Sequence, residues 1–307
     1  MYPNLYYAFR EWFGVDVPFL KAINTFGLFV VLSFFAAAWT LTKELKRKET
    51  KGDFDYEFNK LKLKVLPSDS VPPATIIAAI TGIIGAKIFG IPEYWRSFLQ
   101  HPVQYFFSVG GFIFYGGLIV ASVTLWFYYK RKNINTIKMA DAIAPGLMPA
   151  YAIGRIGCHI AGDGDWGIIN QHSKPFDWIP DWLWAYDYSH NISTAGVYIP
   201  DCDWGIYCYH LQPPVYPTPL YETIVVFALF TILWSLRKRF KIAGRLSAVY
   251  LLFISTERFF IELIRINPRY DIFGMYLSQA QIISIIFFVC GILLYVLAPK
   301  LKANLLI

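Results

Sequence analysis

Seven stretches of the chain stay apolar long enough to cross a bilayer: roughly 23–41, 71–91, 110–129, 140–160, 220–236, 246–264 and 276–297. A spanning helix needs about 20 mostly apolar residues at about 1.5 Å each. Short polar segments separate the stretches, except for one long insert at 161–217. The pattern predicts an all-α polytopic membrane protein: a single transmembrane domain over 1–307 with seven transmembrane helices. Before the first stretch, Tyr2, Leu5, Tyr6, Phe9, Trp12 and Phe13 recur at helical spacing. They predict that 1–20 is an arm with a short amphipathic helix lying in the interface. These residues lack the basic start, apolar run and small-residue cleavage site of a removable signal peptide.

Charge orients the bundle. Segments 42–70, 130–139 and 237–245 and the C-terminal tail hold nineteen Lys and Arg, including Lys60, Lys62 and Lys64, while the opposite side holds Arg10, Arg96, Lys174 and Arg269, with Lys21 at the edge of the first stretch. Lys and Arg concentrate on the cytoplasmic side, so the N-terminus is predicted outside and the C-terminus inside. The composition agrees: 56% hydrophobic and 16% charged, against roughly 25% charged in soluble domains, excludes an ordinary soluble enzyme and a disordered chain. A net charge of +7 would ordinarily raise nucleic acid as a partner. Here the basic excess lies in loops facing anionic membrane lipids, and no nucleic-acid role is expected.

The outer insert 161–217 holds five of the ten tryptophans: Trp166, Trp178, Trp182, Trp184 and Trp204. Its prolines, Pro175, Pro180, Pro200, Pro213 and Pro214 among them, argue against long helices. It reads either as an interfacial aromatic belt or as a lid for an amphipathic partner. Cys202 and Cys208 share this insert, where oxidation is possible, and their pairing stays open. Cys158 and Cys290 read as buried thiols.

Charges inside hydrocarbon cost at least a few kcal/mol each and mark function by default. On the predicted topology Lys87, Arg155, Glu222, Arg258, Glu262 and Arg265 share one layer near the outer surface, with Tyr115 at the same depth. Arg258, Glu262 and Arg265, at i, i+4 and i+7, would share one helical stripe, with Glu257 facing elsewhere. Four positive groups against Glu222 and Glu262 leave room for an anion such as a lipid phosphate, which arginine binds through paired charge-assisted hydrogen bonds. The alternative is internal ion pairing that locks the bundle, with Lys87 snorkelling. Gly110, Gly111, Gly116, Gly117, Gly154, Gly157 and Gly162 lie at the same depth, and suit either close helix packing or close approach of a headgroup.

At these residues the sequence resembles bacterial prolipoprotein diacylglyceryl transferases. Gly154-Arg155-Ile156-Gly157-Cys158-His159-Ile160-Ala161-Gly162-Asp163, continuing to Trp166-Gly167, is similar to the family signature Gly-Arg-x-Gly-Asn-Phe-x-Asn-x-Glu. Three more segments match in order: Gly110-Gly111 through Tyr115-Gly116-Gly117-Leu118, Pro219-Leu220-Tyr221-Glu222, and Arg258 through Glu262 to Arg265. The departures are Cys158 and Ala161 for the signature asparagines, Asp163 for its acid with an added residue in Gly-Asp-Gly-Asp, Tyr115 for a histidine, and Phe26 for a first-span tyrosine. His159, at a family phenylalanine position, reads as structural rather than catalytic.

The resemblance implies that the diacylglyceryl group of phosphatidylglycerol moves to the lipobox cysteine thiol of a lipoprotein precursor, releasing glycerol phosphate, at the bacterial cytoplasmic (inner) membrane with the site toward the outer leaflet. The thiolate is the reactive form, and positive groups must meet the charge developing on the departing phosphate. The resemblance assigns Arg155 and Arg258 to catalysis and to phosphatidylglycerol, with Tyr115 as a proton relay although a phenol is a poor base. Gly154, Gly157, Gly116, Gly117, Glu222, Glu262, Arg265 and Asp163 complete the expected lipid-binding set. No metal or cofactor is expected, since the histidines are scattered and the acids form no ligand set. Two other readings use the same charge layer: a transporter, although its charges lie at one face rather than the midplane, and a non-catalytic lipid-binding protein.

Overall fold

The computed structural model describes residues 1–54, 66–108, 111–272 and 274–304; Lys60, Lys62, Lys64 and Gly110 lie outside the described residues. In chain order the elements are α1 (Leu5–Phe13), α2 (Thr25–Thr50), α3 (Val71–Gly90), α4 (Trp95–Gln100), α5 (Pro102–Phe107), α6 (Phe114–Arg131), α7 (Thr136–Ala161), α8 (Asp181–Trp184), β1 (Val197–Tyr198), β2 (Tyr209–His210), α9 (Thr218–Leu236), α10 (Arg245–Ile261), β3 (Arg269–Ile272), β4 (Met275–Ser278) and α11 (Gln279–Asn304). Among the described residues four helices are long and apolar enough to cross a membrane: Thr25–Thr50, Pro67–Gly90, Thr218–Leu236 and Gln279–Lys300. The other long helices are more polar. Lys130 and Arg131 end α6, Pro145, Pro149 and Arg155 interrupt the apolar run of α7, and α10 carries Glu257 and Arg258.

The fold is mostly helical, in line with the all-α expectation, and carries two small antiparallel hairpins, β1–β2 and β3–β4. In the second hairpin the Asp271 side chain accepts from the Gly274 N–H at 2.8 Å, and Gly274 takes φ +84°, a conformation that favours glycine.

The chain divides into two compact units, Met1–Ala37 with Ile143–Ile307, and Ala38–Ala142. In the second unit α3 and α6 approach backbone to backbone. A Cβ on Gly116 would lie 2.3 Å from Phe89 Cβ, and one on Gly117 would lie 2.8 Å from the Gly82 carbonyl. Small residues permit such crossings. Lys87 is buried in this unit. Its ammonium donates to the carbonyls of Tyr105 (3.0 Å) and Ser108 (2.7 Å) and lies 4.2 Å from the Phe112 ring centre. It thereby holds the end of α5.

In the first unit α7, α9 and α10 bury Met148, Ala152, Val226, Leu233 and Leu246, with Tyr151, Tyr250, Phe253 and Ile254 packed around them. Segment 162–217 is mainly irregular, as its prolines predict, with its own core of Trp166, Tyr188 and Val215. The Cys202–Cys208 disulfide is formed. Helix α1 starts at Asn4, whose side chain accepts from the Tyr7 N–H, and stops at Gly14. The arm is tied down by the Tyr2 N–H bond to the Ile160 carbonyl at 2.9 Å. Trp204 stacks between Tyr7 (4.5 Å) and His190 (4.0 Å).

Candidate active site

Helix α7 delivers Arg155 one and a half turns before its end at Ala161. Gly162 (φ +64°) and Gly164 (φ +100°) then turn the chain. Beyond them Gly167 bridges Arg265 in antiparallel fashion, and the Ile168 N–H bonds the Ile264 carbonyl at 2.8 Å. A Cβ at Gly167 would meet the Ile264 carbonyl oxygen at 2.6 Å, so this approach depends on glycine.

The same bridge explains a difference from the expected stripe. Helix α10 stops at Ile261, Glu262–Ile264 form one tighter turn, and Arg265 is extended (φ −92°, ψ 155°). Arg258, Glu262 and Arg265 therefore do not share one α-helical face. They meet because the extended strand-like pairing with Gly167 swings Arg265 inward.

Glu222, in the first turns of α9, is the hub. It is 0% exposed. One oxygen meets Arg155 Nε at 2.6 Å, Arg258 Nη1 at 3.6 Å and the Tyr151 hydroxyl, and the other accepts from Arg265 Nη1 at 2.8 Å. Arg258 Nη2 lies 3.0 Å from Glu262, whose other oxygen accepts from Asn267 at 2.5 Å. Asp165 bridges Arg265 Nη2 (2.6 Å) and Arg155 Nη1, and its carbonyl accepts from the Thr218 hydroxyl at 2.9 Å. Side-chain exposure divides the arginines: Arg265 is 5% exposed, Arg155 14% and Arg258 20%.

Asp165 changes the predicted charge count. Arg155, Arg258 and Arg265 face three carboxylates, not two, and Lys87 has its own carbonyl partners in the other unit. Burial disfavours ionising Asp165, but Arg155 and Arg265 outweigh it and hold its carboxyl well below the ordinary carboxylate range. Asp163 behaves oppositely. Burial and the neighbouring Asp165 charge raise its pKa, and its Oδ1 accepts from the Asp165 N–H at 3.2 Å.

A model of the family described as prolipoprotein diacylglyceryl transferase matches residues 15–297. The chain belongs to this family. A phosphatidylglycerol–prolipoprotein diacylglyceryl transferase of Clostridioides difficile is 30% identical over 95% of both chains. A second such protein, from Clostridium perfringens, is 33% identical over 74% of this chain and 78% of its own. One from Leptospira interrogans is 27% identical over 84% and 74%. With its apolar helices, this membership makes the chain a multi-pass membrane protein.

The remaining expected residues fall in three places. Gly116 and Gly117 pack against α3, and Tyr115 occupies the first turn of α6. Gly157 lies against α2, where a Cβ would meet Phe29 Cβ at 2.6 Å, whereas nothing lies within 4 Å of the Cβ position at Gly154, beside Arg155. His159 Nδ1 lies 3.1 Å from the Tyr188 hydroxyl, between the rings of Tyr186 and Tyr188. It also lines an open pocket of about 690 Å³ with Tyr2, Arg10, Tyr186, His190 and Trp204. Among the described residues, Cys158, Asp163 and Asp165 come close enough to suggest a cation site. The Arg155 guanidinium touches both Cys158 (3.8 Å) and Asp165, so positive charge is already supplied there.

Three members of the site escape the motif reading. Tyr151, four residues before Arg155, was signalled by helical spacing on α7. Asp165 was signalled by the extra residue in Gly-Asp-Gly-Asp. Glu257, expected to face elsewhere, is buried and continues the Leu246–Tyr250–Phe253/Ile254 stripe that packs on α7 and α9.

Proposed function

We propose that this chain transfers the diacylglyceryl group of phosphatidylglycerol to the lipobox cysteine of a lipoprotein precursor, releasing glycerol phosphate. The observation that carries the reading is three guanidinium groups gathered on the buried Glu222 carboxylate, with Arg155 and Arg258 the more open of the three. That arrangement suits a phosphate whose charge grows as the carbon–oxygen bond breaks. Arg155 and Arg258 hold the phosphate. Glu222, Arg265 and Asp165 hold Arg155, and Glu222 and Glu262 hold Arg258, so that neither donor has to reorganise during the reaction. Gly154 leaves open backbone beside Arg155 for the headgroup. The low-dielectric surroundings strengthen these contacts and keep water from the donor lipid.

The membrane setting belongs to the same proposal. Seven helices, α2, α3, α6, α7, α9, α10 and α11, cross the bacterial inner membrane with the N-terminus outside, so the arginines lie toward the outer leaflet. Phosphatidylglycerol then enters sideways, and the signal helix docks with its cysteine beside Arg155. The pocket lined by His159, one turn further along α7, receives the mature end of the precursor.

The test is glycerol phosphate release by purified protein given phosphatidylglycerol and a lipobox peptide. No release by the wild-type protein refutes the transferase reading. Release that survives Arg155→Ala refutes the site.

A further inference from the structure

Thiol alkylation needs somewhere for the thiol proton to go. The Arg–carboxylate network offers few candidates, because its acids already serve the arginines. Both Glu222 oxygens meet guanidinium nitrogens, both Asp165 oxygens do so too, and Glu262 accepts from Asn267 through one oxygen while the other, without a hydrogen bond, lies 3.0 Å from Arg258. Glu257 differs. It is 7% exposed, and neither of its carboxylate oxygens has a hydrogen-bond partner among the described residues. Leaving a buried acceptor unmade is costly, and it persists where a ligand or a proton completes it.

The surroundings point the same way. Glu257 lies in the face of α10 that packs on α7 and α9, within electrostatic reach of Glu222, Arg258, Arg155 and Arg265, and of Tyr151. Glu262 closes the next turn of the chain. Helix α11, which runs along α10, brings no charged side chain before Lys300, and its Tyr295 faces Arg245 at the opposite end of α10. Arg258, the next residue, has a buried Nη1 that also lacks a hydrogen bond, with Glu222 3.6 Å away. An open donor and an open acceptor therefore stand on consecutive residues of one site. A phosphate oxygen completes the first, and an S–H completes the second.

We propose that Glu257 accepts the proton of the lipobox thiol. This rests on the transferase reading above. The thiol proton passes to the Glu257 carboxylate as the sulfur bonds to the glyceryl carbon. The carbon–oxygen bond to phosphate breaks, and its electron pair leaves with the phosphate oxygen. The proton then passes from Glu257 to the departing glycerol phosphate, which restores the carboxylate, so no co-reactant is consumed.

The experiment compares wild type, Glu257→Gln and Glu257→Asp in mixed micelles of phosphatidylglycerol with a lipobox peptide, over pH. The amide keeps the shape and cannot take the proton. General-base catalysis contributes about 10²–10⁴-fold, so kcat/KM of Glu257→Gln falls by that factor at neutral pH while phosphatidylglycerol binding is unchanged. Its rate then climbs about tenfold per pH unit toward the ordinary thiol pKa of about 8.5, because the thiolate is now supplied by solution. A Glu257→Gln rate equal to wild type, or a loss of the same size at every pH, overturns the proposal. If Glu257→Gln does not fold, Glu257→Asp decides: a displaced midpoint in the pH profile supports the role, and an unmoved midpoint overturns it. An inactive wild type would instead overturn the transferase reading itself.

Discussion

Replacing Glu222 by Gln removes one negative charge from the centre of the site and little volume. The wild-type network pairs three arginines with Glu222, Glu262 and Asp165. The variant takes from Arg155, Arg258 and Arg265 a shared carboxylate that Glu257, which makes no hydrogen bond to them, does not replace, and these residues are 5–20% exposed. Breaking a buried pair from one side costs about 3–5 kcal/mol. With an unfolding entropy of about 2.1 cal/mol/K per residue, that lowers the Tm by at least about 5 °C. Thermal unfolding in detergent measures it, alongside glycerol phosphate release, which falls because Arg155 and Arg258 lose their shared anchor. The double variant Glu222→Gln/Arg265→Leu restores the charge match, since Arg155 and Arg258 again face two acids. It should recover most of the lost stability, because removing a whole buried pair is often near neutral, but not the activity. A double variant no more stable than Glu222→Gln would refute charge compensation as the role of Glu222.

Arg155→Lys keeps the charge but loses the planar fork; we expect a 10–100-fold drop in kcat/KM with a Tm within a few degrees of wild type. Asp165→Asn should impair release far more than Asp163→Asn, since Asp165 alone of the two bridges Arg155 and Arg265; equal effects in the two variants would contradict this. The depressed Asp165 pKa gives the sign of its pH dependence. Its contribution to stability is fully present above the ordinary carboxylate value of about 4 and is lost as pH falls through the folded value, so wild type should lose more Tm than Asp165→Asn below about pH 4. Gly167→Ala pushes a methyl toward the Ile264 carbonyl and should reduce both stability and activity; a variant indistinguishable from wild type in both would mean that the bridge does not position Arg265.

How much of this the sequence disclosed depended on the kind of pattern. Hydrophobic run length located the long helices, because a helix of lipid-facing residues needs no distant partner to be recognisable. The individual arginines and Glu222 were legible as ionisable groups in apolar runs. Their mutual geometry was not. Extending the helical period through Arg265 missed the break at Ile261, which is set by pairing with Gly167, about a hundred residues earlier. Counting residues along the motif points to Asp163, whereas the turn at Gly162 and Gly164 brings Asp165 to the arginines. Helical spacing turns Glu257 about 100° from Arg258, yet that angle still lies within the broad buried side of α10. The β3–β4 hairpin left only the faint Asp271–Gly274 turn as a sign.

The Arg155–Asp165 pair also bears on how the chain enters a membrane. Translation delivers Arg155 long before Glu222, Arg258 or Arg265, so on the proposed topology, in which α7 crosses the membrane, the carboxylate that later anchors its guanidinium has not been made when α7 inserts. Asp165, ten residues on, is available almost at once. A bridging acid encoded next to the arginine gives the nascent helix a local counter-ion, and the distant partners take up their share as α9 and α10 arrive. The order of residues along the chain thus matches the order in which their charges must be neutralised during biogenesis.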